Sequence, residues 1–156
     1  MKYIDNPKEK YHVLARGVIL SGNKLLVAHC IGEDNTFLPG GHVEFHEGTR
    51  SSLRREIDEE LGLRCEVHGY LGAVEAAYQT YDIYHQEINH LFLVVLSDID
   101  PSINPESKEK HLEFYWIPVA DMDKHHLLPH PVRTIIINYV EHQEQGPHWL
   151  STLDEA

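Results

Sequence analysis

After a polar start, the chain runs through β-branched and apolar positions from Tyr11 to Leu20 and stops at Ser21-Gly22-Asn23. A run of this kind bounded by a turn signal predicts a strand, and its resumption over Leu25–Ala28 predicts a hairpin partner. Thr36–Leu38 predicts a short extended piece leading into Pro39-Gly40-Gly41, where helix is excluded and unusual backbone angles cost little. The period then changes. Leu53, Ile57 and Leu61 recur at every fourth position, a helical stripe, with Thr49 as the expected N-cap and Gly62 as the expected stop. Arg64–Tyr81 and Ile88–Leu96 predict a long strand pair, and Pro101–Lys110 a polar loop. His111–Ile117 predicts a strand ending at Pro118, and Val132–Val140 a closing helix. Strands alternating with two helices predict an α/β sandwich around a mixed sheet. No internal repeat, low-complexity tract or dividing linker interrupts the chain, so 1–156 is read as a single domain.

Composition narrows the function classes. A chain of 156 residues, 42% hydrophobic, is enough for one core. The longest apolar run, Leu91–Leu96, falls far short of the roughly 20 residues that cross a bilayer. The start, Met1–Lys10, lacks the hydrophobic region of a secretory signal, so no membrane partner is expected. Two cysteines, Cys30 and Cys65, are too few for a disulfide framework and read as ordinary thiols in a reducing cytoplasm. Lys and Arg number 13 against 25 Asp and Glu, a net charge of −12. Such a surface repels phosphate backbones, which argues against a nucleic-acid partner. An anionic ligand would need something positive between itself and the protein.

The helix carries the chemistry. At about 100° per residue, Ile57 and Leu61 lie about 40° and 80° from Leu53, while Glu56, Glu59 and Glu60 lie at about 300°, 240° and 340°. Three carboxylates therefore share one arc beside the apolar stripe. Glu56 and Glu60 are a like-charge i,i+4 pair, and Glu59 and Glu60 occupy the last turn, where the helix dipole disfavours anions. A divalent cation removes both penalties, and an oxygen-only donor set suits Mg²⁺ or Mn²⁺ better than zinc. The alternative is a solvated acidic face, the commoner fate of such a run. The loop before the helix, together with Arg55, tips the balance toward a site. Gly40 and Gly41 let the main chain approach a ligand, Glu47 adds a fourth acid just before the helix, and Arg55, beside Glu56 in sequence, is able to hold one acid in place by a bidentate pair.

Gly41, Glu47 and Arg55-Glu56-Ile57-x-Glu59-Glu60-x-Gly62-Leu63 stand at the defined positions of the Nudix box, and by these residues the chain resembles the Nudix hydrolases. The Trp-containing strand at Tyr115–Pro118 is similar to the family as well. The resemblance implies a Nudix-like α/β/α sandwich and metal-dependent hydrolysis of a pyrophosphate bond. Its substrate would be a nucleoside diphosphate linked to another moiety: a nucleoside triphosphate, dinucleoside polyphosphate, nucleotide-sugar or ADP-ribose type. It further implies that Glu56, Glu59, Glu60 and the Gly40 carbonyl hold the metal and that Glu47 and Arg55 pair. The general base would be Glu56 or an acid on a later loop, with Glu109 preferred over Glu106 and Glu113; otherwise Glu109 is a solvated turn residue. A nucleotide-sensing domain that has kept the fold without turnover is the alternative, and loss of box acids would have favoured it. A small-molecule nucleotide is the expected partner, and a homodimer is compatible with the chain.

Substrate class is less legible. Oxidised-purine triphosphatases of the family carry an Arg and an Asn where Cys30 and Pro129 stand by rough alignment, which counts against that activity. Tyr78, Tyr81 and Tyr84 are candidates for stacking on a base, or are strand packing residues. Arg16, inside an apolar strand, either reaches a substrate phosphate or pairs with an acid at the sheet edge. His125, His126 and His130 cluster before the closing helix, as polar loop residues or as a phosphate or pH-sensing group.

Overall fold

The computed structural model describes residues 8–144 and 146–154. Among the described residues there are eight strands: β1 Glu9–Ser21, β2 Lys24–Cys30, β3 Thr36–Phe37, β4 Gly40–His42, β5 Cys65–Thr80, β6 Ile83–Leu96, β7 Leu112–Pro118 and β8 His148–Ser151. The same residues form two α-helices, α1 Thr49–Leu61 and α2 Val132–His142. The sheet runs β3-β2-β1-β6-β5-β8, with β4 paired to β1 and β7 to β2. β1 and β6 are parallel from Glu9↔Tyr84 to Ile19↔Val94, whereas β5 and β6 are antiparallel, so the sheet is mixed as expected.

Helices cover opposite faces, and the sheet is apolar on both. Val18, Leu25, Val27 and Leu91 pack with Val132, Ile135 and Ile136 of α2. Their neighbours Ile19, Leu26, Ala28 and Phe92 pack with Leu53, Ile57 and Leu61 of α1. Leu25–Ala28 is fully buried along its length because alternate side chains enter alternate cores. This is the α/β/α sandwich. No helix among the described residues is long and apolar enough to cross a membrane.

Four details depart from the sequence reading. The β1–β2 hairpin exists only at its mouth, Leu20↔Leu25 and Ser21↔Lys24, after which β2 turns away and pairs with β7 from Lys24↔Pro118 to Cys30↔Leu112. Thr49 is the first helical residue and not the cap: Gly48 holds the cap position, and its carbonyl accepts the Ser52 amide at 2.9 Å. Strands β4 and β8 were not expected. β8 is admitted by Gly72, at φ 133°, where a Cβ would run into the His148 main chain. The expected stop at Gly62 is present in the left-handed conformation, φ 67°.

Candidate active site

The stripe of α1 seats the helix, and that seating decides where each acid lies. Leu53 and Ile57 are fully buried and Leu61 nearly so, which rolls Glu60 into the protein at 5% exposure. Glu56 is mostly covered, and Glu59 is half exposed. Strand β4 passes beneath Glu56, and only glycine allows it. A Cβ on Gly41 would sit 2.6 Å from the Glu56 carboxylate, and one on Gly40, at φ 135°, would run into the Ala15 carbonyl.

Arg55 is the hub of the box. Its Nε and Nη2 donate to the two oxygens of Glu47 at 3.1 and 2.7 Å, a bidentate pair. Nη1 donates to Glu56 at 2.9 Å and to Glu59 at 3.2 Å, and Nη2 also reaches the His42 carbonyl at 3.2 Å. Glu47 in addition accepts the Glu44 amide at 3.0 Å. These donors, the guanidinium foremost, hold the Glu47 carboxyl down at about 2. The same acids push the Arg55 pKa further up.

Glu60 is in the opposite condition. Its Oε2 is buried with no hydrogen-bond partner. Burial is the main reason that its pKa rises to about 8, with Glu56 and Glu109 adding repulsion. Arg16 and a hydrogen bond from the Gly40 main chain oppose the rise without cancelling it. Glu109 is brought close by the loop preceding β7, which docks on the end of α1 through the Lys108 amide and the Glu60 carbonyl at 2.7 Å. The site therefore has five acids, Glu47, Glu56, Glu59, Glu60 and Glu109, one buried oxygen without a donor, and the two glycines of β4 against Glu56. Among the described residues no group of three or more His, Cys, Asp or Glu stands close enough together to hold a metal ion as it is arranged here. Glu59 faces Arg55 instead. The acids beside it offer only hard oxygens as donors, and Glu60 Oε2 is the one among them that is buried without a hydrogen-bond partner.

Beside the acids lies a cavity of about 550 Å³. Arg16 stands between the two. Its Nη1 donates to the Leu38 carbonyl at 3.2 Å, its guanidinium lies 5.4 Å from the centre of the Phe37 ring, and it faces Glu87, Glu60 and Glu56. Burial lowers its pKa, and those carboxylates work against that effect. Tyr78 lines the cavity, as do Phe37, Glu87, Asn89 and Pro129. Tyr81 does not: it is wholly exposed in the turn between β5 and β6 at φ 51°. Tyr84 is also outside the cavity, and of the three clustered histidines only His130 reaches it. The sequence reading missed Phe37, Glu87 and Asn89. Asn89 was detectable in principle, as a polar residue interrupting an apolar strand; it is 1% exposed and donates to the Glu87 carboxylate at 3.0 Å and the Val74 carbonyl at 3.3 Å.

Solved structures share this architecture. A Nudix hydrolase from Nitrosomonas europaea aligns with a TM-score of 0.66 at 18% identity, covering 90% of this chain and 77% of that one. A MutT Nudix hydrolase from Burkholderia pseudomallei aligns with a TM-score of 0.62 at 21% identity, over 82% and 97%. An ADP-ribose pyrophosphatase from Streptococcus suis aligns with a TM-score of 0.64 at 12% identity, over 90% and 98%. At these identities the likeness is one of fold. The Nudix domain family model matches residues 11–139, which include the whole box, the strands that carry it and most of α2. The chain thus belongs to the Nudix family.

Proposed function

We propose that this domain, 1–156, hydrolyses the pyrophosphate bond of a nucleoside diphosphate linked to a further group, with Mg²⁺ or Mn²⁺ as its cofactor. The observation that carries the reading is the buried, donorless oxygen of Glu60 inside a complete box. A carboxylate in that condition is costly unless a cation completes it. Glu56, Glu59, Glu60 and the Gly40 carbonyl are assigned as the groups that would hold the metal, with Glu59 released from Arg55. When bound, such an ion neutralises the diphosphate and lowers the pKa of an attacking water.

The remaining roles belong to the chain itself. Arg55 and Glu47 fix the loop between β4 and α1 on the helix, so that Glu56 is held in position above Gly41. Glu109, repelled by Glu60 from the docked loop, is assigned to accept the proton of the water, with Glu56 as the second candidate. Arg16, between the acids and the cavity, is assigned to the substrate phosphates. Phe37 and Tyr78 offer ring faces to a base, and Glu87 offers an acceptor to its hydrogen-bonding edge or to a ribose hydroxyl. Proteins of the same fold include an ADP-ribose pyrophosphatase, a UDP-X diphosphatase and MutT proteins, so the scaffold alone does not select the substrate. The test is therefore a panel of ADP-ribose, nucleotide-sugars, nucleoside triphosphates and diadenosine polyphosphates with Mg²⁺ or Mn²⁺. Release of a nucleoside monophosphate or of phosphate from one class is the expected result. Tight nucleotide binding without product from any of them overturns the reading in favour of a sensing domain.

A further inference from the structure

On the sheet face that floors the cavity, four rings stand side by side, one from each of four neighbouring strands. Tyr78 of β5 and His85 of β6 are stacked with centroids 4.5 Å apart and planes within 7°. His85 and His12 of β1 are stacked at 5.1 Å and 20°, and His12 meets His42 of β4 at 5.0 Å and a tilt of 56°. Hydrogen bonds join the imidazoles. His12 Nε2 lies 2.8 Å from His85 Nδ1, His12 Nδ1 lies 2.8 Å from His42 Nε2, and Thr80 Oγ1 lies 2.7 Å from His85 Nε2. In each imidazole pair one ring donates its N–H and the other accepts with its bare nitrogen.

The row has two different ends. At the β4 end, the His42 carbonyl accepts from Ser52 Oγ at 3.1 Å and from Arg55 Nη2 at 3.2 Å, so this ring grows from a strand pinned to the box. At the other end, Tyr78 is 45% exposed and lines the cavity. A tyrosine on an open sheet face is free to leave its rotamer, and ordering it on binding costs affinity. Here the far face of the ring is already packed against His85, which is itself 9% exposed and held from both sides by hydrogen bonds. His85 is buried, His12 half-buried and His42 exposed, so the row becomes drier from the β4 end toward the ring that backs Tyr78.

We infer that His85 and His12 are positioning residues that hold the Tyr78 ring in the plane against which the substrate's base stacks. The inference rests on the assignment of Tyr78 made above. The imidazoles make no contact with the base themselves. They remove the alternative orientations of the ring, so their worth appears in affinity for ligands that carry a base and in nothing else.

Calorimetry on the full chain with Mg²⁺ tests this, using ADP, GDP, CDP and UDP as probes and inorganic pyrophosphate as a probe without a base. For the diphosphate that binds tightest, Tyr78→Ala should weaken binding about tenfold, the size of one base-stacking contact. His85→Ala should weaken it about fivefold, and the double variant should be no weaker than Tyr78→Ala alone, because the support matters only through the ring. His85→Phe, which restores a flat ring, should return affinity to within about twofold of wild type. Pyrophosphate binding should not change in any of them, which also reports that the site is folded. His12→Ala removes a half-buried ring and gives the same direction of change should His85→Ala not fold. Unchanged diphosphate affinity in the His85 and His12 variants, with Tyr78→Ala weakened, overturns the inference and leaves the Tyr78 assignment standing. Additive losses in the double variant overturn it as well. Full affinity in Tyr78→Ala, or no diphosphate bound by wild type, removes the assignment and the inference together.

Discussion

Glu47 and Glu60 are the same side chain at the two ends of one motif, and the fold treats them in opposite ways. Glu47 accepts from Nε and Nη2 of Arg55 and from the Glu44 amide, and its pKa falls to about 2. Glu60 is rolled into the core by the same helix, keeps one oxygen without a donor, and its pKa rises to about 8. The difference separates structure from chemistry within the box. A saturated carboxylate has nothing left to offer a ligand and serves to hold the loop. An unsaturated one raises the free energy of the empty protein and returns it to whatever cation completes the shell. Arg55 takes part in both conditions, since its Nη1 touches Glu56 and Glu59 while its other atoms clamp Glu47.

The largest expected effect breaks the comparison on the Glu60 side. Glu60→Gln keeps the shape and removes the charge, so turnover should fall by at least about a hundredfold through lost transition-state stabilisation. The unfolding midpoint of the metal-free protein should stay level or rise, because a buried ionisable group has gone. Steady-state kinetics and urea unfolding read the two quantities. Near-normal turnover would take Glu60 out of the site. On the clamp side the effect is smaller. Arg55→Lys keeps the charge but loses the fork, and one ammonium cannot serve Glu47, Glu56 and Glu59 at once. Stability should drop as the bidentate hydrogen bonds are lost, and turnover should fall by about tenfold as Glu56 loosens. A variant that loses stability without losing turnover would show that the clamp does not position Glu56.

How much of this was legible beforehand follows the same division. The α1 stripe, the Gly62 stop and the acids of the box were readable because each is written in local sequence at helical spacing. Periodicity could not show that the β1–β2 hairpin would open after two pairs, since Leu25–Ala28 is apolar on both faces and carries no signal of which strand it joins. β4 escaped notice because its glycines mark a loop by propensity and become a strand only when β1 supplies the ladder at Leu14↔His42 and Arg16↔Gly40. The cavity was harder still. Phe37, Glu87 and Asn89 meet Arg16 only through pairings between strands far apart in the chain, and the three tyrosines at even spacing gave no means of telling that Tyr78 faces the cavity while Tyr81 points to water. The histidine cluster that sequence emphasised lies beside the closing helix; the row that the fold assembles uses His12, His42 and His85, from three separate strands.

The smallest effect is one of stability against pH, and here the two glutamates pull in opposite directions. Glu47 is depressed from the usual 4.5 to about 2, so its contribution is present above about 4.5 and is lost as pH falls toward 2. Glu60 is raised to about 8, so between about 4.5 and 8 the folded protein holds a proton that the unfolded chain has released; stability therefore falls as pH rises through that window and levels above it. The metal-free protein should be most stable in the interval where Glu47 is ionised and Glu60 is not, near the low end of that window. Melting temperature in EDTA from pH 2 to 9 should show both limbs. Glu60→Gln should flatten the upper limb alone, and Glu47→Gln should reduce the lower one. Added Mg²⁺ should lift stability most at the alkaline end, because the ion takes the place of the proton on Glu60. An upper limb that survives in Glu60→Gln would mean that another group titrates there and that the buried carboxyl is not the source of the slope.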